Sequence, residues 1–422
     1  MDRREALGHI GAGVALTLLP TGNLLAAGTR ALVRNPYKGI DWAQAEPRKA
    51  SLHMHTLQSD GFQMVDEVVG CYKRAGYSIL ALTDHDCFKP NAQVRSKRVA
   101  PENGSPYPVK PYPKGYPANT TWPWNDYGTA SAEEHGMVGI QANELTYRHH
   151  INSFFCDYGV WYRKTGKKAP YGGIVDAAGN VVWEDDQIEG VGSCNGLAVL
   201  NHPGVPDKTS WWVRQSLDWY AERFRKHPAS CLVGLEVTNC SPSRRLYDEG
   251  LWDQLLARFM PHRPVWGFGT DDMHNLKSAR QSYTTFFLAE PTVAKVRQAM
   301  LAGAFSFSVS TRKVNYLAEP QKLDRLPELH SVAVDEGKGT ITLGTEACDE
   351  VRWISTPASL DPKENYKTSN QPYPCGEVVH VGDTLDYRQT KGVGNYVRAE
   401  LVRQADGHTH RTFTSPFGFA TT

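Results

Sequence analysis

The stretch Ile79-Leu80-Ala81-Leu82-Thr83-Asp84-His85-Asp86 decides the fold: four apolar residues fit a short buried strand, and an ionisable cluster follows without a break. Five other segments repeat the theme. Ser51-Leu52 runs into His53-Met54-His55, Val138-Gly139-Ile140 into Asn143-Glu144, and Leu197–Leu200 into Asn201-His202-Pro203. Leu232–Leu235 runs into Glu236, and Val265–Phe268 into Asp271-Asp272-Met273-His274. Helix-like stretches at Val65–Ala75, Trp211–Lys226 and Leu251–Met260 lie between them, so the strand-helix alternation predicts an α/β fold with a parallel sheet. A closed or nearly closed barrel explains more, because it brings the strand ends to one rim, where β/α barrels place their catalytic groups. An open doubly wound sheet would spread them along a line.

His53 and His55, one residue apart at a strand end, point the same way and can reach one metal. Asp60 follows in Ser59-Asp60-Gly61, where the glycine permits a sharp turn back toward the histidines. His85, Glu144, His202 and the pair Asp272 and His274 close further strands. His150 precedes Ile151 and Phe154-Phe155 of a returning strand. Two positions have rivals, His149 for His150 and Asp271 for Asp272. The apolar residue after His150 and the Asp-x-His spacing of Asp272 favour His150 and Asp272. So many ionisable groups buried together without a cation would cost several kcal/mol per group. Divalent metals remove that cost.

In order along the chain, His53-Met54-His55-Thr56, Ser59-Asp60-Gly61, Leu82-Thr83-Asp84-His85, Glu144 with His150, Asn201-His202-Pro203 and Asp272-Met273-His274 resemble the motifs of the polymerase and histidinol phosphatase (PHP) family. The resemblance runs from Ser51 to about Asn275. It implies a distorted (β/α)7 barrel and two or three divalent ions, commonly Zn, Mn or Fe. By that analogy His53, His55, Glu144 and Asp272 hold one metal, Glu144 bridges to a second held by His150 and His202, and Asp60, His85 and His274 hold a third.

The same resemblance points to phosphoester hydrolysis, with a metal-bridging hydroxide attacking a phosphomonoester or phosphodiester. A carbamate, amide or carboxylic ester hydrolase is the alternative, and a non-catalytic PHP-like binding domain a further one. Amidohydrolase barrels also begin with His-x-His, but the Asp-x-His close and the lack of an evident lysine ligand fit them poorly. Four residues are candidates for catalytic work. Asp84 would orient a ligand histidine or handle a proton, and Glu236 would stand behind the ligands or face substrate. Arg244 and Arg245 would clamp a phosphate, with a merely solvated basic loop as the bland alternative.

Around this unit, expected over residues 45–325, the chain carries two insertions, about 88–134 and 158–193. Trp122, Trp124 and Tyr127 in the first are candidates to stack on an aromatic leaving group. From 326 to 422 short alternating strands separated by Gly and Asp turns predict a β-sandwich-like domain, in which His408 and His410 read as exposed loop residues rather than ligands. Arg3-Arg4, the apolar run Ile10–Leu19 and the small residues up to Ala26-Ala27 form a twin-arginine-like export signal over residues 1–30. A periplasmic or secreted protein without stable membrane insertion is therefore expected. No two of the eight cysteines sit at Cys-x-x-Cys spacing; Cys348 and Cys375 are a candidate bridge. Forty-six basic residues against 45 acidic ones give no reason to expect nucleic acid as partner, so attraction for a small anionic ester must be local.

Overall fold

A computed structural model of the chain describes residues 30–56, 59–85, 135–145, 149–156, 158, 174–175, 181–182, 184–204, 214–239, 245–312, 325–369 and 371–421. The predicted export segment, the 88–134 insertion with Trp122, Trp124 and Tyr127, and Arg244 with the Arg245 side chain lie outside them.

The architecture is mixed α/β. One sheet holds the parallel strands Glu46–Ser51, Ile79–Ala81 and Val138–Ile140, with Ser282–Leu288 antiparallel to the first. A second holds the parallel strands Leu197–Leu200, Leu232–Thr238 and Trp266–Gly269. To these Ala142–Leu145 and Ile151–Phe154 are added in antiparallel order. Leu52, Ala81, Phe154, Val199, Val233 and Phe268, drawn from both sheets, share one apolar core.

No continuous closed sheet runs through the described residues. The two sheets meet instead at two isolated parallel bridges, Met54 with Met273 and His85 with Glu144. His55 N donates to Met273 O at 2.8 Å and Glu144 N to Asp84 O at 3.2 Å. The departure from a regular barrel has a local cause. Glu144 does not end the Val138–Ile140 strand; Gln141 breaks it, and Glu144 lies in the next strand, on the other sheet.

Helices cover the outside as the amphipathic spacing requires. Val65–Arg74 buries Val65, Val68, Val69 and Tyr72 against Leu80 and Leu82, with acidic residues in its first turn and basic ones in its last, complementing the helix dipole. Leu217–Lys226 starts at Ser216, whose Oγ accepts from Trp219 N at 3.2 Å, so it begins later than the sequence suggested. Glu184–Ser193 buries Ile188 and Val191 in the same apolar layer as Ala198, Leu200 and Leu235, so this end of the supposed second insertion belongs to the core.

The C-terminal strands form a further apolar layer. Leu329, Ile341, Leu343 and Leu385 of a three-stranded sheet pack with Trp353, Val397, Leu401 and Phe419 of the larger sheet. The boundary near residue 326 is crossed by hydrogen bonding, since Phe305–Ser310 pairs with His408–Thr414. The first described strand joins the same body, with Arg30–Arg34 pairing with Phe417–Thr421 and Tyr37 in its core. His408 and His410 are therefore strand residues, not loop residues. Asp406 and Gly407, at φ 51° and 74°, make a two-residue hairpin turn, and the strand after it is paired on both sides, which buries His410. Cys348 and Cys375 are both free thiols.

Buried ion pairs fasten the helix Arg245–Phe259 to this layer. Arg398 grips Asp253 with two hydrogen bonds of 2.8 and 2.7 Å, and Tyr396 OH and Gly376 N also donate to the same carboxylate. Arg411 joins Glu249 to Glu400 in the same way. Because removing one partner strands a buried charge, Asp253→Ala is expected to cost about 3–5 kcal/mol in urea unfolding of the metal-stripped protein. Surface-like behaviour, with a loss below about 1 kcal/mol, would show that the pair is not buried in solution.

Candidate metal centre

His53 and His55 lie at the end of the Glu46–Ser51 strand, both completely buried, and their Nε2 atoms are 3.2 Å apart. Asp272 Oδ1 stands 3.3 Å from each. These three atoms form a nearly equilateral triangle, and Asp272 Oδ1 makes no aligned hydrogen bond within it. Donors about 2.0–2.1 Å from a tetrahedral zinc lie about 3.3 Å from one another, so the triangle has the dimensions of one face of such a site. Glu144 approaches the same two nitrogens, Oε1 at 3.4 Å from His53 and Oε2 at 3.3 Å from His55.

Glu144 is also the hub for the other strand ends. Its Oε1 lies 2.9 Å from His150 Nδ1 and 3.2 Å from His202 Nε2, and its Oε2 lies 3.0 Å from His85 Nδ1. Beyond it, Asp60 Oδ1 is 3.3 Å from His274 Nε2 and 3.6 Å from His85 Nε2. All nine expected ligands are thus gathered into overlapping groups: His53, His55 and Asp272; His53, Glu144 and His202; His85, Glu144 and His150; and His55, Asp60, His85 and His274. His150 groups with His85 and His202 with His53, a different division from the one the resemblance implies. Exposure rises toward Asp60, at 19%, and His274, at 36%, so the cluster opens to solvent on that side.

The rivals lie elsewhere. His149 is buried with Nε2 against Tyr220 OH at 2.8 Å and Nδ1 against His150 O at 2.9 Å, and burial lowers its pKa to about 3. Asp271 accepts from Gln281 N, Ser282 N, Arg280 N and Tyr72 OH, which makes it the staple of the following turn; burial raises its pKa to about 6 despite those bonds. Asp272 reaches the cluster through a left-handed backbone, φ 47°, as does His202 at φ 26°. Non-glycine residues in that region store strain, which persists only where surroundings impose it.

Burial disfavours charge here; for the Glu144, Asp272 and Asp60 carboxyls and for His53, His55 and His274 attraction between opposite charges outweighs it, whereas at His202 burial wins and lowers the pKa. Imidazoles hold the Glu144, Asp272 and Asp60 carboxyls well below their ordinary range. In return, the nearby Asp272 and Glu144 carboxylates raise the pKa of His55, against burial, to about 10, and Glu236, Asp272 and Glu144 raise that of His53. Protons on imidazoles stand where cations would otherwise balance the carboxylates. The donor set, the triangle and the unsatisfied Oδ1 fit a divalent ion, whose binding would release those protons.

Of the four catalytic candidates, Glu236 and Asp84 are placed by their hydrogen bonds. Glu236 is fully buried and faces no substrate: Oε1 accepts from His53 Nδ1 at 2.6 Å and Thr270 Oγ1 at 2.7 Å, and Oε2 from His202 N at 2.8 Å and Asn239 Nδ2 at 3.2 Å. Asp84 spends both oxygens on the turn after His55, accepting from Thr56 N, Thr56 Oγ1, Ser59 N and Ser59 Oγ. Both are positioning residues. Gly61 is required by contact, since a Cβ there would lie 2.4 Å from the His55 carbonyl. Arg244 and the Arg245 side chain lie outside the described residues. Sequence reasoning missed Ser59, Asn201, Asn239 and Thr270 as supports. Asn201 Nδ2 donates to Glu144 Oε1 at 2.8 Å, and it sits in the quoted Asn-His-Pro motif.

Glu236→Gln should place an amide NH2 against either the His202 N–H and Asn239 donors or His53 Nδ1. Metal affinity, read by competition with a chromogenic chelator, is expected to fall about 10–100-fold. Parental affinity in this variant would remove Glu236 from the support of His53.

Neither a family model nor a characterised protein matches the chain by sequence. Similar solved structures include a two-domain protein from Bacteroides vulgatus described as containing a predicted PHP-like metal-dependent phosphoesterase, at 14% identity and TM-score 0.42, covering 92% of this chain and 98% of that one. An amidohydrolase from Chromobacterium violaceum with bound sulfate and no metal is similar at 15% identity and TM-score 0.34, over 60% of this chain and 96% of that one. A protein from Bifidobacterium adolescentis described as a metal-dependent phosphoesterase is similar at 15% identity and TM-score 0.32, over 54% of this chain and 89% of that one.

Proposed function

We propose that this chain is a metal-dependent hydrolase of PHP type that cleaves phosphate esters. The observation that carries the reading is the triangle of His53 Nε2, His55 Nε2 and Asp272 Oδ1 beside the Glu144 hub. In the same reading the two sheets are a distorted barrel, supported by the bridges Met54 with Met273 and His85 with Glu144. Export to the periplasm or beyond belongs to it too, and rests on the N-terminal sequence pattern alone.

His53, His55, Glu144 and Asp272 would hold one ion, with His150, His202, His85, Asp60 and His274 completing a second or third. When bound, divalent cations supply Lewis acidity toward ester oxygens and lower the pKa of water. The chain's own residues do the remaining work. Glu236 and Thr270 hold His53, Asn201 and the strand ends hold Glu144, and burial keeps most of the cluster from solvent, least so at Asp60 and His274.

With three ions bound, charge favours an anionic substrate. The carboxylates in and directly behind the cluster are Asp60, Glu144, Asp272 and Glu236. With Asp84, which stands behind His55 through Ser59, the carboxylates number five, so two divalent ions would leave one negative charge and three would leave an excess of one positive charge. A phosphate ester suits that excess better than a neutral carbonyl ester.

Metal-reconstituted protein is expected to hydrolyse p-nitrophenyl phosphate or its bis-ester, to lose the activity on chelation, and to regain it when Zn, Mn or Fe is restored. Activity confined to an aryl carbamate would replace phosphorus chemistry by carbonyl chemistry. Absence of any transition metal from active protein would overturn the reading altogether.

A further inference from the structure

The hydroxyl of Ser59 has one proton, and its neighbours decide where that proton points. Asp84 Oδ1 lies 2.6 Å from Ser59 Oγ, whereas Asp60 Oδ1 lies 3.5 Å away. A hydroxyl-to-carboxylate bond of about 2.5–2.7 Å is among the strong ones, so the proton is directed to Asp84. Asp84 holds it there from a fixed position: the same Oδ1 accepts from Thr56 N at 2.8 Å and Ser59 N at 3.0 Å, and Oδ2 accepts from Thr56 Oγ1 at 2.7 Å.

Ser59 Oγ therefore meets His55 Nδ1, 3.2 Å away, with lone pairs only. It must accept, so Nδ1 carries the hydrogen. Once an ion displaces the second proton of the ring, the lone pair is left on Nε2, the nitrogen turned to His53, Glu144 and Asp272. We propose that Asp84, acting through the Ser59 hydroxyl, sets His55 in the Nδ1–H tautomer and so decides that this histidine ligates through Nε2. The inference rests on the metal-centre reading above. Glu236 does the same for His53 by direct contact, so the two histidines of the His-x-His pair are set by separate devices, one a carboxylate and one a relayed hydroxyl.

A residue that only pins the turn would behave differently from one that acts through the hydroxyl. The measurements are metal affinity of the full chain by chelator competition, the visible spectrum of the Co-loaded protein, and the melting temperature of the metal-free protein. Ser59→Ala is expected to weaken metal binding about 10–100-fold and alter the Co spectrum while leaving the metal-free melting temperature near that of the parent. Asp84→Asn keeps an oxygen facing Thr56 N, Ser59 N and Ser59 Oγ, and should retain parental affinity. Asp84→Ala should lose as much as Ser59→Ala, and the double variant no more than the worse single one.

Parental affinity and spectrum in Ser59→Ala, or losses that multiply in the double variant, would overturn the relay. Should Asp84→Ala fail to fold, the contrast between Ser59→Ala and Asp84→Asn decides alone. If the parent binds no transition metal, the metal-centre reading fails and the relay with it; if the parent binds and Ser59→Ala matches it, only the relay fails.

Discussion

One carboxylate organises the centre. Glu144 is fully buried, lies within 3.4 Å of ring nitrogens from five histidines, and takes a hydrogen bond from Asn201. A single negative charge in such a place would be costly alone, and so would the imidazoles. Their mutual attraction makes the arrangement tenable without an ion and primes it for one. The backbone follows the same logic, because the His85 to Glu144 bridge is one of the two places where the sheets meet. The seam of the fold and the hub of the site are the same few residues.

The clustered residues were legible in the sequence because strand ends confine them. A residue directly after a buried strand has its direction fixed by alternation, so His53, His55, His85 and His202 could be read as converging before any coordinate was known. Their supports were less legible. Ser59 reaches His55 across a turn, Asn239 reaches back to Glu236 from the end of the same strand, and Thr270 reaches it from the end of the neighbouring one, and nothing in their local sequence distinguishes them from ordinary polar residues. Of the antiparallel pair, Ile151–Phe154 was legible as a returning strand, but Ala142–Leu145 was hidden, since Ala-Asn-Glu-Leu is not an apolar run and Glu144 reads as the end of the Val138–Ile140 strand. The hairpin that buries His410 did carry a signal, Asp406-Gly407 between alternating strands, and it went unread.

The C-terminal layer is more than an appendage to the site-bearing part. The strand Phe305–Ser310 is shared, paired with Ser282–Leu288 on one edge and His408–Thr414 on the other. On the opposite side, Arg398 and Arg411 hold the helix that follows the Leu232–Thr238 strand, the strand that carries Glu236. Rigidity at His53 thus traces through Glu236 and its strand to packing that includes residues beyond 396. A bidentate arginine on a buried carboxylate adds orientation that apolar contact alone would not.

Strain completes the picture. His202 and Asp272 both hold left-handed backbone, at a cost of order 1–3 kcal/mol each. Both are held there by partners that belong to the centre: Glu236 accepts the His202 N–H, and Met273, next to Asp272, forms the bridge to Met54. The polypeptide spends stability at the points where it delivers ligands to the hub. An ion that binds the folded cluster and not the unfolded chain shifts the balance back by mass action. Fold and centre would therefore be thermodynamically linked, through the carboxylates and imidazoles that would hold the ion.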